Sequence, residues 1–171
     1  EHRLSDAQFG IALGVRLGEN LPCCTGACQH RHPDGSVCGA VLDPKGQHAR
    51  SCLVGGWLVR RHDAGCAALT AWCEEVGCAV HREMVLPHAA ATRPEARMDL
   101  IIHAPGVAEP IRVDFTVVSA LSQDALGRGS ARRAGVAAAT AENDKRARYP
   151  GLRMVPFAVE DHGRFGEDAL A

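Results

Sequence analysis

The sequence predicts a mixed α/β (α+β) core preceded by a small metal-binding segment. From about residue 62, hydrophobic patterns follow the order helix, strand, strand, strand, helix, strand, and five of the eight cysteines lie within 30 positions upstream. The 171 residues are 46% hydrophobic and 23% charged, a composition typical of globular proteins. We expect an N-terminal helix in residues 1–19, a zinc-binding segment in 20–52 and the α/β core in 53–171.

The first elements are helical. Residues 4–18 repeat apolar side chains every four positions, and Ser5 and Gln8 are spaced as a capping box. After the cysteine-rich segment, the pattern from Leu53 supports one long helix or two short ones, and Gly77 ends it.

Three strand-like runs follow, at residues 80–86, 97–103 and 111–118. The Ala-rich residues 130–148 predict a helix that Pro150 stops. Residues 154–159 predict a last strand, and Pro156 within them predicts an edge or terminal position, because proline cannot donate to a ladder hydrogen bond.

Cysteines and histidines cluster in the Gly- and Pro-rich segment 20–52, which has too little periodic apolar sequence to fold around a core. Zinc is the better explanation than disulfides, because structural zinc takes four such ligands. His48 and Cys52 form one pair, and Cys38 before Gly39 suits a turn. The remaining ligand is open among Cys23, Cys24, Cys28, His30 and His32, of which we choose Cys28. We expect three further cysteines to be buried as small apolar side chains: Cys66, Cys73 and Cys78.

One carboxylate interrupts each of the three apolar strands: Glu83, Asp99 and Asp114. A single one would suit a solvent-exposed strand face, whereas three on neighbouring strands indicate a Mg²⁺ or Mn²⁺ site, because these ions prefer hard oxygen ligands. Lys145 is one of only two lysines, beside 17 arginines, and lies in the following helix. It could supply positive charge near a scissile phosphate. Lys45 is the other.

This pattern resembles the PD-(D/E)xK restriction-like nuclease core. The upstream residues 42–49 with Cys52, then Arg61 and His62, are similar to the zinc knuckle that precedes such a nuclease in polyproteins of site-specific retrotransposons lacking long terminal repeats. The resemblance covers about residues 20–160. It implies a restriction-endonuclease-like fold and a Mg²⁺-dependent endodeoxyribonuclease that nicks target DNA for integration by target-primed reverse transcription.

The resemblance also assigns roles to individual residues. Asp99 matches the acid of the first motif, with Met98 where that motif often has proline, and Asp114 matches the second acid. Thr116 stands where the lysine of the Asp-x-Lys triplet is expected, so a relocated lysine would be Lys145. Glu83 would complete the metal site directly or through water.

The resemblance implies three partners: double-stranded DNA, the element RNA and a reverse transcriptase in the same longer polyprotein, acting in the nucleus. A net charge of −1 excludes a generally basic nucleic-acid-coating protein but permits a local basic face. Candidate nucleic-acid-binding residues are Arg61, His62, Arg128, Arg132, Arg133, Arg146, Arg148 and Tyr149.

Two further expectations concern location and activity. No apolar run has the ~18 residues of a membrane span, so we expect no membrane partner. The N-terminal residues lack the apolar region of a signal peptide, and we expect a reducing intracellular compartment. The alternative function is a catalytically inactive, zinc-containing nucleic-acid-binding module built on a degenerate nuclease scaffold.

Overall fold

The computed structural model describes residues 3–85 and 97–171. The chain forms two compact units. The first consists of Glu1–Arg60 with Asp161–Gly163, and the second of Arg61–Glu160 with Arg164–Ala171. Leu86, the last residue of the first predicted strand, lies outside the described residues. Within the described ranges, no helix is long and apolar enough to cross a membrane.

The first unit begins with helix α1, Asp6–Leu17. Its predicted capping box is confirmed, because the Gln8 backbone N–H donates to Ser5 Oγ at 3.3 Å and the Ser5 N–H donates to Gln8 Oε1 at 2.9 Å. Gly18 ends the helix in the left-handed conformation. A short helix α2, Gln47–Ser51, follows a hairpin-like segment whose two arms are joined by isolated bridges.

The second unit contains most of helix α3, Trp57–Glu75, followed by a four-stranded sheet. Its strands are β1 Ala79–Val85, β2 Arg97–His103, β3 Ile111–Val118 and β4 Val155–Glu160. Their spatial order is β1-β2-β3-β4; β1, β2 and β3 pair antiparallel, and β4 pairs parallel to β3. A parallel pair needs a crossover connection, and here helices α4, Gln123–Gly127, and α5, Val136–Arg148, supply it.

The predicted mixed α+β class is confirmed, and so is the edge position of the strand that contains Pro156. The prediction that the second long helix starts at residue 130 is wrong. Gly129 and Gly135 both adopt positive φ, which turns the chain, so α5 begins only at Val136. Helix α4 was not predicted, although Ser122 caps it by accepting from the Ala125 N–H at 3.2 Å.

The core of the second unit lies between α3 and the sheet. Cys66 from α3 packs with side chains of β2 and β3, of which Leu100 and Val113 are the most buried and Phe115 is 6% exposed. A second apolar cluster joins Met98 and Ile101 of β2 to Tyr149, directly after α5. The parts of β2 and β3 that carry Asp99 and Asp114 are therefore packed against helical elements.

Candidate functional site

Cys28 and Cys38 lie on opposite arms of the hairpin-like segment in the first unit. The Cys38 N–H donates to the His30 carbonyl at 2.8 Å, and the Gly39 N–H donates to the Cys28 carbonyl at 3.0 Å. Helix α2 then begins after Gly46, which has positive φ, and brings His48 toward the two thiols. Cys52 directly follows this helix and completes the group.

The four side chains have separations suited to tetrahedral coordination. Cys52 Sγ lies 3.8 Å from both Cys28 Sγ and Cys38 Sγ, and Cys38 Sγ lies 3.5 Å from His48 Nε2. Sulfur ligands at the usual distance from a tetrahedral zinc ion are ~3.8 Å apart, and a sulfur and a nitrogen ligand are ~3.6 Å apart. This Cys₃His cluster could therefore hold a metal such as zinc. It contains Cys28, and the other candidates for the first ligand lie outside the group: Cys23, Cys24, His30 and His32.

Backbone amides around the Cys₃His cluster support it. The Asp43 carboxylate accepts the N–H groups of Gln47 at 2.9 Å and His48 at 2.7 Å, which caps the short helix. Burial alone would raise the pKa of Asp43, but these N–H groups hold it below its ordinary value. A hydrogen bond from the Ala40 backbone is the largest influence that lowers the pKa of the Cys38 thiol, which favours the thiolate that a metal binds.

A second cluster lies in the other unit, where four elements that are distant in sequence meet. Asp99 of β2 accepts the Phe115 backbone N–H at 2.7 Å, and its Oδ2 lies 3.2 Å from His62 Nε2 of α3. Asp114 of β3 forms an ion pair with Lys145 of α5. The side chains of this pair are only 10% and 12% exposed, respectively, so Lys145 is directed toward the sheet rather than into solvent.

The electrostatics of Asp99 and His62 are coupled. The hydrogen bond with Asp99 is the largest cause that raises the pKa of His62, to about 11, and Cys66 raises it further against the effect of burial. Burial acts to raise the pKa of Asp99, but the hydrogen bond and charge of His62, together with the Phe115 N–H, keep it below its ordinary value. At neutral pH this pair is therefore an imidazolium facing a carboxylate.

The pKa of Asp114 is shifted in the opposite direction to that of Asp99. Burial raises its pKa above the ordinary value, and the nearby Asp99 carboxyl adds to the rise while Lys145 opposes it. Among the described residues, its buried Oδ2 atom has no hydrogen-bond partner. Two neighbouring carboxyls and an orphaned oxygen fit a hard divalent cation, because such a cation would offset both the repulsion and the missing hydrogen bond.

Glu83 lies outside this carboxylate cluster in the structure. Its side chain is 63% exposed, and its carboxylate faces the Arg97 guanidinium at 3.5 Å. Its φ of 51° places it in the left-handed region, so the strand is distorted at the residue opposite Asp99 in the β1–β2 register. A direct or water-mediated contribution of Glu83 to metal binding stays a prediction.

The predicted nucleic-acid-binding residues fall into different environments. The Arg61 guanidinium donates to the Val117 carbonyl at 3.4 Å, and Tyr149 is half-buried against the sheet. Arg128 pairs with Asp124 at 2.9 Å, and Arg146 pairs with Asp168. Both of these arginines are exposed, and so are the three others from the same prediction: Arg132, Arg133 and Arg148.

Two residues of this unit, His62 and Arg164, have surroundings that the sequence did not predict. His62 is predicted to bind nucleic acid, whereas in the structure its ring contacts Asp99 and lies close to Cys66. His62 and Cys66 are four residues apart in α3, and this spacing alone places them on one face of the helix. Arg164 was not singled out, yet it lines a cavity of about 380 Å³ with Arg128 and Arg133 beside the start of α5.

The chain matches no protein-family model, and a search of curated proteins finds no match either.

Proposed function

We propose that the chain is a Mg²⁺- or Mn²⁺-dependent endodeoxyribonuclease of the restriction-like type, which nicks double-stranded DNA by phosphodiester hydrolysis. The single observation that carries the proposal is the meeting of Asp99, Asp114 and Lys145 in one cluster. Two acids and a lysine are the functional groups that this nuclease chemistry requires, and here they come from three separate elements. The resemblance to retrotransposon nucleases assigns the same three residues.

Asp99 and Asp114 would hold the catalytic ion. When bound, the ion supplies Lewis acidity and a water of lowered pKa. The protein fixes the orientation of Asp99 through the Phe115 N–H and the His62 ring, so that one carboxylate oxygen is already engaged from the protein side. Preorganisation of this kind avoids the cost of reorienting the ligand during the reaction.

Lys145 would act on the phosphate and the attacking water. Its ammonium group is held by Asp114 in a largely buried position, where a charge interacts more strongly than in water. From there it orients the water and offsets the negative charge that develops on the phosphate. Removing such a transition-state contact typically lowers the rate by a factor of ~10²–10³.

Basic residues beside α5 would contact the DNA backbone. Arg128, Arg133 and Arg164 line the cavity at the start of α5 and outnumber its one acidic lining residue, Glu167. Backbone amides at a helix start and arginine side chains both favour phosphate groups. We therefore assign the target strand's phosphates to this surface, with nuclear DNA as the target and the element RNA and reverse transcriptase as the remaining partners.

The Cys₃His cluster would hold a structural zinc ion. All four positions are protein side chains, and a full set of four protein ligands is typical of structural rather than catalytic zinc. The ion would take over the stabilising role of an apolar core in the first unit, whose helix α1 has no buried residue.

The test is nicking of supercoiled plasmid with Mg²⁺ or Mn²⁺. Asp114→Asn keeps the side-chain shape and should abolish cleavage in protein that circular dichroism shows to be folded and that still binds DNA; some loss of stability is expected, because the largely buried Lys145 loses its partner. Lys145→Ala should lower the cleavage rate at saturating DNA by ~10²–10³ and weaken DNA binding much less. Lys45→Ala is the control, because Lys45 lies in the other unit, where its ammonium bonds to the Gly18 carbonyl.

Two results would contradict the proposal. Metal-dependent cleavage that persists at the wild-type rate in Asp114→Asn would place the metal elsewhere. DNA binding by a folded, zinc-containing protein that never cleaves with any divalent ion would identify the chain as a non-catalytic binding module.

A further inference from the structure

Three potential metal ligands meet on the inner face of α3, apart from the Cys₃His cluster. They are His62, Cys66 and Asp99, whose ligand atoms all lie within 4.8 Å of one another. His62 and Cys66 are four residues apart in one helix, so they project from the same face. Asp99 reaches them from β2.

The separations are close to those of a coordinated ion. His62 Nε2 lies 3.2 Å from Asp99 Oδ2 and 3.9 Å from Cys66 Sγ. Around tetrahedral zinc, nitrogen and oxygen ligands are ~3.3 Å apart and nitrogen and sulfur ligands ~3.6 Å apart, so two of the three separations are close to those of a coordinated ion, and the third is at most 4.8 Å. The other ring nitrogen of His62 lies 3.3 Å from Asp63, a carboxylate contact of the kind that orients metal-binding histidines.

The three side chains differ in their access to solvent. Cys66 is 1% exposed and is packed among apolar side chains, whereas His62 and Asp99 are partly exposed and open a route for an ion. A sulfur, a nitrogen and a single carboxylate form a donor set that a hard ion such as Mg²⁺ disfavours and that Zn²⁺ or Co²⁺ accepts.

We propose that His62, Cys66 and Asp99 form a second transition-metal site, which takes Zn²⁺ with one thiolate ligand. On binding, the metal replaces one proton on the Cys66 sulfur and one on the His62 imidazolium, and both protons pass to solvent. The fourth position is open to water. A further consequence rests on the proposed nuclease function: Zn²⁺ at Asp99 Oδ2 replaces the His62 hydrogen bond that orients this carboxylate and draws negative charge from it, so Mg²⁺ binds more weakly and cleavage is inhibited.

Cobalt gives a readout that does not depend on activity. Co²⁺ is added to protein that carries one zinc in its Cys₃His cluster; Co²⁺ binds such ligands more weakly than Zn²⁺ and leaves that zinc in place. A thiolate-to-cobalt charge-transfer band should appear and should disappear on addition of a second equivalent of Zn²⁺. Co²⁺ bound only by Asp99 and Asp114 would give no such band.

Variants assign the band to the proposed ligands. Cys66→Ala should abolish the band, and His62→Ala should weaken cobalt affinity at least tenfold, since losing even an outer-sphere partner costs ~10–100-fold. Cys73→Ala is the matched control, because it removes a half-buried thiol from the same helix outside the group. If Cys66→Ala does not fold, as judged by circular dichroism, His62→Ala and Asp99→Asn test the same assignment.

The outcomes separate this inference from the nuclease proposal. A wild-type protein without the band, or a band that survives in Cys66→Ala, overturns the second metal site whatever the activity. A band that behaves as expected in a protein that never nicks DNA supports the site and removes the nuclease function. In a nicking protein, Zn²⁺ should inhibit the wild type and Cys73→Ala much more strongly than Cys66→Ala.

Discussion

Replacing Gly65 in α3 by alanine should disturb the core and the carboxylate cluster together. A Cβ atom at this position would lie 2.5 Å from Cε1 of Phe115 and closer still to Cζ. Carbon atoms in contact are normally 3.5–4.0 Å apart, so the ring must retreat by about 1 Å. Phe115 is only 6% exposed and stacks on Phe157 with ring centroids 5.7 Å apart, which leaves it little room.

Two opposing effects set the magnitude. Alanine in a helix interior is favoured over glycine by ~1 kcal/mol, whereas overpacking a tight core costs ~1–3 kcal/mol. An overlap of about 1 Å against a buried ring belongs at the upper end of that cost, so we expect a net destabilisation of about 2 kcal/mol. The Phe115 N–H also donates to Asp99 at 2.7 Å, so a shift of β3 should weaken that bond and slow the proposed cleavage.

Urea denaturation measures the free energy of unfolding, and plasmid nicking measures the effect on the site. Gly127→Ala is the control in the same unit, because nothing lies within 4 Å of an added Cβ there. We expect this control to be neutral or to stabilise by up to ~1 kcal/mol. An unfolding free energy of Gly65→Ala equal to or above wild type would refute the packing argument.

Two further predictions concern other parts of the chain. Removing metal with a chelator should make residues 20–52 sensitive to protease while the sheet unit keeps its circular dichroism, and Cys38→Ser should do the same without chelator; a resistant segment would show that metal does not stabilise it. Glu142 is buried, and burial, aided by the Asp168 carboxylate, raises its pKa. The folded protein therefore holds this proton more tightly than the unfolded chain does, so protonated Glu142 favours folding below about pH 4.5, and this contribution to stability is lost as pH rises. Glu142→Gln should therefore have a higher melting temperature than wild type at pH 7, with a difference that shrinks toward pH 4, whereas exposed Asp144→Asn should show neither effect.

Most of the fold could be predicted because its signals are local. Strands β2 and β3 were predicted with their observed bounds, since each is a continuous apolar run between turn residues. The start of α5 was missed because residues 130–134 have helix-forming composition, and only the positive φ of Gly129 and Gly135 bends the chain away. Whether a glycine takes that conformation depends on tertiary structure, which the sequence pattern does not reveal.

The site was predictable to the extent that its residue types are unusual in their surroundings. Asp99 and Asp114 stood out because carboxylates in apolar strands need partners, and Lys145 because the chain otherwise uses arginine. The contact between His62 and Asp99 could not be predicted, because it depends on how α3 lies on the sheet. Glu83 has the right residue type, but the left-handed backbone at that position and the contact with Arg97 are features of three-dimensional packing.

One turn of α3 explains why packing and chemistry in this unit are coupled. Within five residues, His62 contacts Asp99, Gly65 admits the Phe115 ring, and Cys66 fills the core beneath them. Phe115 takes part in both, because its ring packs against Gly65 of α3 and its backbone N–H donates to Asp99. A substitution in this turn therefore cannot change the packing without moving a candidate metal ligand. For that reason, stability and activity should fall together in Gly65→Ala, whereas Lys145→Ala, at the other side of the cluster, should lower activity by a much larger factor than its effect on stability would explain.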